Sequence, residues 1–147
     1  MGEKVAIVGS KNYNSPSLVR EYISRLAEDD TVVSGGAPGV DTWAEEAAEA
    51  CGLETLIFHA DWENLGRKAG PIRNEKIVAQ ADQVIAFWNK KSRGTLNTVV
   101  LANEKGIPVK IFSPDGESIP LEEAMKVAEE RGVVAAIEAG RGRNQKK

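Results

Sequence analysis

Short apolar runs alternate with amphipathic segments along most of the chain. Runs rich in β-branched residues, such as Lys4–Gly9, have the continuous apolar character of strands that are buried on both faces. Between these runs, apolar residues recur at helical spacing, as they do from Ser15 to Leu26. This alternation predicts right-handed βαβ crossovers and an α/β, doubly wound, mostly parallel sheet.

The boundaries follow from the same pattern. Five strands are predicted at residues 4–9, 31–34, 54–58, 83–88 and 108–112. Helices are predicted from Ser15-Pro16, from Asp41 to Gly52, over 72–81, over 94–104 and, at the periphery, over 120–132. Residues 1–132 therefore form the predicted domain. We expect 133–147 to be a flexible extension with a disordered basic tail.

Composition and charge narrow the classes of function. The 147 residues are 41% hydrophobic and carry a net charge of −3, so the body does not attract nucleic acid by its bulk charge. The basic end, by contrast, contains Arg141, Arg143, Lys146 and Lys147. One cysteine, Cys51, excludes an internal disulfide, and we expect it in the core. With no signal peptide or membrane-spanning run recognised, a cytoplasmic protein without a membrane partner is expected.

Two glycine-rich loops, at 34–41 (SGGAPGVD) and 91–95 (KSRGT), each follow a predicted strand and precede a helix. Glycine lets a backbone approach a ligand closely. The amides and dipole at a helix N-terminus favour phosphate. Both loops lie at carboxyl ends of predicted strands, where α/β sheets bind ligands. Together they predict a site for a phosphorylated, nucleotide-like small molecule.

Further candidates lie on neighbouring loops. In the connection 59–71, Trp62 offers a flat face for a base, and Arg73 at the next helix start could bind phosphate bidentately. Asp41 could act as a helix N-cap, as a ligand of ribose hydroxyls, or as both. The candidate ligand-binding residues are Gly9, Ser10, Gly35, Gly36, Ala37, Gly39, Asp41, Trp62, Arg67, Arg73, Asn74, Ser92, Gly94 and Thr95.

Several familiar sites are absent from the sequence. Gly9 is followed by Ser-Lys-Asn, so the GxGxxG dinucleotide fingerprint is missing, as is the Walker pattern. No His/Cys cluster suggests zinc, and we expect neither a metal nor a cofactor other than the nucleotide-type ligand. For general acid–base chemistry the candidate catalytic residues are Asp41 and Glu45.

As a set, the motifs closely resemble the DUF2493 family of the SLOG superfamily, also called YspA-like or YpsA-related. The resemblance covers residues 5–112 and rests on GS at 9–10, SGGAPGVD at 34–41, ADW at 60–62, AGPIRN at 69–74, AFW at 86–88 and SRGT at 92–95. It implies a Rossmann-like fold related to the DNA-processing protein DprA and to the "lonely guy" phosphoribohydrolases. It also implies a homo-oligomer, and such genes often occur in phages.

Three functions follow as hypotheses. The leading one is binding of a nucleotide or nucleotide-derived ligand for sensing or sequestration. The first alternative is hydrolysis of the N-glycosidic bond of a nucleoside 5′-monophosphate. The hydrolases carry a glutamate after their Gly-Thr, whereas Gly94-Thr95 precedes Leu-Asn-Thr, so Asp41 or Glu45 would have to replace it. The second alternative is single-stranded DNA binding as in DprA, against which the acidic body argues.

Overall fold

A six-stranded sheet in the order β3-β2-β1-β4-β5-β6 forms the centre of the molecule, seen in a computed structural model that describes residues 2–145. The strands are β1 Lys4–Gly9, β2 Thr31–Ser34, β3 Glu54–Ile57, β4 Gln83–Phe87, β5 Val109–Phe112 and β6 Ser118–Ile119. The first five are parallel, and β6 pairs with β5 in the antiparallel sense. The predicted doubly wound α/β class is confirmed.

Helices cover both faces of this sheet. They are α1 Pro16–Ser24, α2 Val40–Ala50, α3 Trp62–Leu65, α4 Ala69–Gln80, α5 Arg93–Lys105, α6 Leu121–Glu130 and α7 Val133–Gln145, with a 3₁₀ turn at Gly66–Lys68. Val5 and Ile7 of β1 pack in the core under α1 and α2, whereas Ala6 and Val8 pack in the core under α4 to α7. This alternation is the two-residue period of a strand that is buried on both sides.

The sixth strand departs from the five that the sequence predicts. The two-residue strand β6 pairs Ile119 with Ile111 and Ser118 with Phe112. A segment this short has no periodicity to read, since its conformation is set by the edge of β5. The connection 59–71 is also more regular than expected, because it contains α3, the 3₁₀ turn and the start of α4.

The chain after residue 132 is the larger difference. The prediction is a flexible extension, yet residues 133–145 form α7, whose Val133 and Ile137 are buried against the core. Arg141 Nη1 lies 2.6 Å from Glu104 Oε2 of α5. This helix docks through two apolar residues one turn apart. Because glycines and charged residues surround them in the sequence, the amphipathic pattern that would predict a docked helix is weak. Lys146 and Lys147 lie outside the described residues, and for Arg143 only the backbone is described.

The expectation for Cys51 is wrong as well. Its thiol is exposed, because α2 ends at Ala50 and Cys51 follows it instead of continuing the buried stripe of Ala44 and Ala48. No described helix combines the length and apolar character needed to span a bilayer.

Ile137→Ala should lower the free energy of unfolding by about 2 kcal/mol, near the low end for a buried isoleucine because the site is peripheral. Urea unfolding followed by circular dichroism measures it. Glu138→Ala, at an exposed position of the same helix, is the control and should change stability by less than about 0.5 kcal/mol. Equal effects of the two substitutions would show that α7 is not docked through Ile137.

Candidate functional site

The carboxyl ends of β1 and β4 lie side by side, with β2 next to β1. From β1 the chain crosses towards β2, and from β4 it crosses towards β5, so the connections diverge at this point. Such a switch point leaves a crevice between the diverging loops. The loops that follow β1, β2 and β4 meet here, together with the start of α4.

The glycine loop after β2 packs tightly against the loop after β1. Gly39 has a φ of 85°, which favours glycine, and a Cβ there would lie only 2.6 Å from the backbone oxygen of Lys11. A Cβ on Gly35 would lie 2.6 Å from Arg73 Nη1. Contacts within the protein therefore account for the absence of side chains at these two positions.

Ser10 connects two loops instead of facing the cleft. Its side chain is only 1% exposed, and its Oγ accepts a hydrogen bond of 3.0 Å from the Asn89 amide. Asn89 Oδ1 in turn accepts from the amides of Lys91 and Ser92, each at 2.9 Å. This chain of bonds runs from the end of β1 to the start of α5. The predicted contact of Ser10 with ribose stays a prediction.

Asp41 lies in the first turn of α2 and is 7% exposed. Gly39, not Asp41, occupies the N-cap position, so the N-cap interpretation is wrong. The carboxylate instead reaches back to the glycine loop, where its Oδ2 accepts a hydrogen bond of 3.1 Å from the Ala37 amide. Its second interpretation, as a residue of the cleft, agrees with its position, because it lines the cavity.

Burial is the main reason that the pKa of Asp41 rises from 3.8 to about 6. The Ala37 and Gly35 amides and the Arg73 guanidinium favour the ionised form and lower the pKa, while the nearby Glu45 raises it further. Asp41 therefore changes its charge close to neutral pH, which few carboxylates do.

Glu45, the other candidate catalytic residue, lies one turn further along α2. Its Oε2 accepts a hydrogen bond of 2.5 Å from the buried Ser34 hydroxyl, and it does not line the cavity. Of the two carboxylates, only Asp41 is therefore in position to touch a ligand in the cleft.

Arg73 is fixed by two hydrogen bonds. Its Nη1 donates to the Gly35 carbonyl at 2.7 Å and its Nε donates to Asn74 Oδ1 at 2.9 Å. Asn74 Nδ2 donates to Asn97 Oδ1 of α5 at 2.9 Å, which ties the start of α4 to α5. Because Arg73 also lines the cavity, the guanidinium is preorganised as a cation of the cleft.

The N-terminus of α5 completes the cleft. Ser92 Oγ caps this helix by accepting from the Thr95 amide at 3.2 Å, and it also accepts from the Thr95 hydroxyl at 3.0 Å. Gly94 is exposed, and the nearest atom to a Cβ built on it would be Ser92 Oγ, 3.9 Å away. Unlike Gly35 and Gly39, Gly94 is not required by contacts within the protein.

Eight candidates come together around a cavity of about 170 Å³. They are Gly9, Ala37, Asp41, Arg73, Asn74, Ser92, Gly94 and Thr95. The candidates that do not line it are Ser10, Gly35, Gly36, Gly39, Trp62 and Arg67. Trp62 is 59% exposed, Arg67 is exposed on the 3₁₀ turn, and a Cβ on Gly36 would collide with the ring of His59.

Lys11, Thr98 and Ile77 also line the cavity, although the candidate set omits them. For Lys11 a signal existed, since it is a cation two residues beyond the glycine that ends β1. The cleft is lined by two cations, Lys11 and Arg73, and one carboxylate, Asp41, so its net charge favours anions. Within residues 2–141, where side chains are described, no group of three or more His, Cys, Asp or Glu is arranged to hold a metal ion.

A larger cavity of about 330 Å³ lies elsewhere, between α4, α5 and α7. It is lined by Glu75, Val78, Leu101 and Glu104 among others and includes no residue of the glycine loops. The smaller cleft at the switch point is therefore the better candidate, because it contains the preorganised polar groups.

Comparison with known proteins finds a family model and a phage relative. A model of the YspA, cpYpsA-related SLOG family matches residues 3–65, which include β1 and the glycine loop. The Gene 61 protein of Mycobacterium phage D29 is 34% identical over 119 residues, which cover 74% of this chain and 95% of that protein.

Solved structures of DNA processing protein A show the same fold. The Streptococcus pneumoniae protein has a TM-score of 0.68 at 23% identity, over 95% of this chain and 57% of that one. The Helicobacter pylori protein, whose structure concerns single-stranded DNA binding, has a TM-score of 0.58 at 22% identity, over 89% and 73%. The chain thus spans little more than half of the first structure, and these likenesses confirm the Rossmann-like fold. The family model and the phage relative show that the chain belongs to the YspA, cpYpsA-related SLOG family.

Proposed function

We propose that the cleft binds the phosphate end of a nucleotide or nucleotide-derived ligand. The observation that supports this most directly is Gly94, whose open position at the start of α5 lets an anion reach the helix N-terminus. The first amides of a helix lack partners inside the helix, and the dipole of a 13-residue helix adds positive potential there.

The charges around this position favour the same ligand. Lys11 and the fixed Arg73 line the same cleft as Ser92, whose hydroxyl accepts from Thr95 and so keeps its own proton for a phosphate oxygen. Asp41 accepts hydrogen bonds when ionised, so it suits ribose hydroxyls better than phosphate. The ligand would therefore direct its phosphate to α5 and its sugar to α2.

A second candidate function is hydrolysis of the base–ribose bond, and the position of Asp41 favours it. A carboxyl with a pKa of about 6 is present in both protonation states near neutrality, as general acid–base catalysis requires. Glu45 is bonded to Ser34, so Asp41 is the only one of the two candidates that could perform this step. Binding without turnover and hydrolysis share one site and differ in the fate of the ligand.

Single-stranded DNA binding is a third hypothesis, carried by the likeness to the Helicobacter pylori protein. The exposed Lys90, Lys91 and Arg93 near the mouth of the cleft could contact further phosphates. Strong dependence of binding on salt concentration would distinguish a strand from a mononucleotide.

Arg73→Ala should abolish ligand-induced stabilisation, because it removes the fixed cation of the cleft. A thermal-shift panel of nucleoside mono-, di- and triphosphates, NAD, ADP-ribose and a short DNA oligonucleotide measures this. A ligand at about 100 times its Kd stabilises a protein by about 2.7 kcal/mol, roughly 5–10 °C at this size. Arg67→Ala, outside the cavity, is the control and should leave the shift unchanged. Loss with Arg67→Ala and not with Arg73→Ala would place the phosphate elsewhere.

Gly94→Val should keep the fold and weaken ligand binding at least tenfold, since its side chain would enter open space at the start of α5. Gly140→Val is the matched control, because Gly140 is also helical with no atom within 4 Å of a Cβ. Isothermal titration calorimetry of both variants with the tightest-binding ligand from the panel measures the affinity. Unchanged affinity of Gly94→Val would contradict phosphate binding at α5.

Asp41→Asn should become progressively more stable than the unmodified protein as the pH rises from about 4 to about 7. In the unmodified protein the pKa of Asp41 is higher in the folded state than in the unfolded state, so its protonated form stabilises the fold. This contribution is fully present below pH 3.8 and is lost as the pH rises through about 6. Over this range the difference in free energy of unfolding between the two proteins should change by about 3 kcal/mol, as measured by urea unfolding. Glu46→Gln, which neutralises an exposed carboxylate of the same helix, is the control measured alongside it. A pH-independent difference for Asp41→Asn would refute the shifted pKa.

The same variant separates the two candidate functions. Chromatography after incubation with a nucleoside monophosphate detects free base. If base is released, Asp41→Asn should stop the release while Glu45→Gln, which can still accept from Ser34, should not. If the ligand returns intact, the binding function stands.

A further inference from the structure

Trp62 is a large apolar side chain that the fold leaves in solvent. Together with Leu65, it is among the few large apolar residues exposed in the part of the chain that the structure describes. The turn that carries it is nevertheless fixed, because Asp61 accepts hydrogen bonds from the Asn64 amide at 3.3 Å and from Asn64 Nδ2 at 2.9 Å. An exposed tryptophan on an ordered turn is informative, whereas scattered small apolar residues are not.

The position of this indole relates it to the cleft. A Cβ on Gly70 would lie 3.3 Å from Trp62 Cη2, so the ring packs over Gly70 in the first turn of α4. Gly70, Arg73 and Asn74 are three and four residues apart and share one face of this helix. Arg73 and Asn74 line the cavity, so Gly70, the residue under the indole, lies one helical turn, roughly 5 Å along the axis, before two residues of the cleft.

The size of the cleft indicates which part of a ligand reaches Trp62. Pockets that enclose a whole drug-sized ligand usually measure about 300–1,000 Å³. The cavity here, at about 170 Å³, can enclose a phosphate and a sugar but leaves a base outside. A base attached to that sugar would lie outside the cavity, and the start of α4, with Arg73 and Asn74, is one of the elements that line it.

We infer that Trp62 is a stacking platform for the base, and that the ligand class is 5′-nucleotides with little discrimination between bases. This inference rests on the proposed function. The side-chain NH2 of Asn64, two residues after Trp62, already donates to both carboxylate oxygens of Asp61. Stacking on an aromatic ring tolerates every base, since each has a π-face, and a purine overlaps more than a pyrimidine.

The experiment combines ligand truncation with substitution of Trp62. Ribose 5-phosphate, uridine 5′-monophosphate and adenosine 5′-monophosphate are titrated calorimetrically into the unmodified protein, Trp62→Ala, Trp62→Phe and Leu65→Ala. Trp62→Ala should weaken both nucleotides about tenfold and leave ribose 5-phosphate unchanged. Trp62→Phe should retain most of the affinity, and Leu65→Ala, which removes an exposed apolar side chain without a ring, should retain all of it.

Other outcomes overturn the inference in distinguishable ways. If nucleotides bind the unmodified protein and Trp62→Ala equally well, the platform is absent while the proposed function stands. If Trp62→Ala weakens ribose 5-phosphate as much as the nucleotides, the residue supports the fold of the cleft instead. If Trp62→Ala changes the oligomeric state in gel filtration, the indole belongs to an interface between copies. If none of the three compounds binds the unmodified protein, the proposed function fails together with the inference.

Discussion

β1 and β4 pair in parallel from Val5–Gln83 to Gly9–Phe87, and every part of the site depends on this pairing. The apolar side chains of both strands are almost fully buried, and they point alternately into the cores on the two faces of the sheet. Because their connections leave in opposite directions, the carboxyl ends open a crevice. The hydrogen bond from the Asn89 amide to Ser10 Oγ, across 79 positions of sequence, extends the pairing beyond the sheet and fixes the loops that line this crevice.

Glycine occurs in the site for two different physical reasons. Gly35 and Gly39 permit contact between parts of the protein, with Arg73 and with the backbone of Lys11. Gly94 meets no such atom within 3.9 Å. The glycine-rich loop after β2 therefore acts as a support that positions Arg73 and Asp41, and the less conspicuous loop before α5 provides the open approach to a helix N-terminus.

Asp41 reduces stability at the pH where the site would work. Burial makes its ionised form unfavourable, and amide hydrogen bonds and the Arg73 guanidinium offset only part of that free energy. A neutral residue at this position would stabilise the fold more. Perturbed carboxyls of this kind occur preferentially at functional sites, where binding or chemistry requires them. A bound ligand with hydroxyl donors would add hydrogen bonds to the ionised carboxylate and so favour that form.

Local pattern in the sequence by itself determined the strands β1 to β5, the helices α1, α2, α4, α5 and α6, and the loops that end at the site. It predicted eight residues that line the cleft, because βαβ order places strand ends at one edge. Only the tertiary structure decided that β6 exists, that α7 docks through Val133 and Ile137, and that Ser10 bonds to Asn89 instead of facing the cleft. Those outcomes depend on partners far apart along the chain. A periodicity of two or 3.6 residues encodes which face of an element is buried, but not which distant atoms meet it.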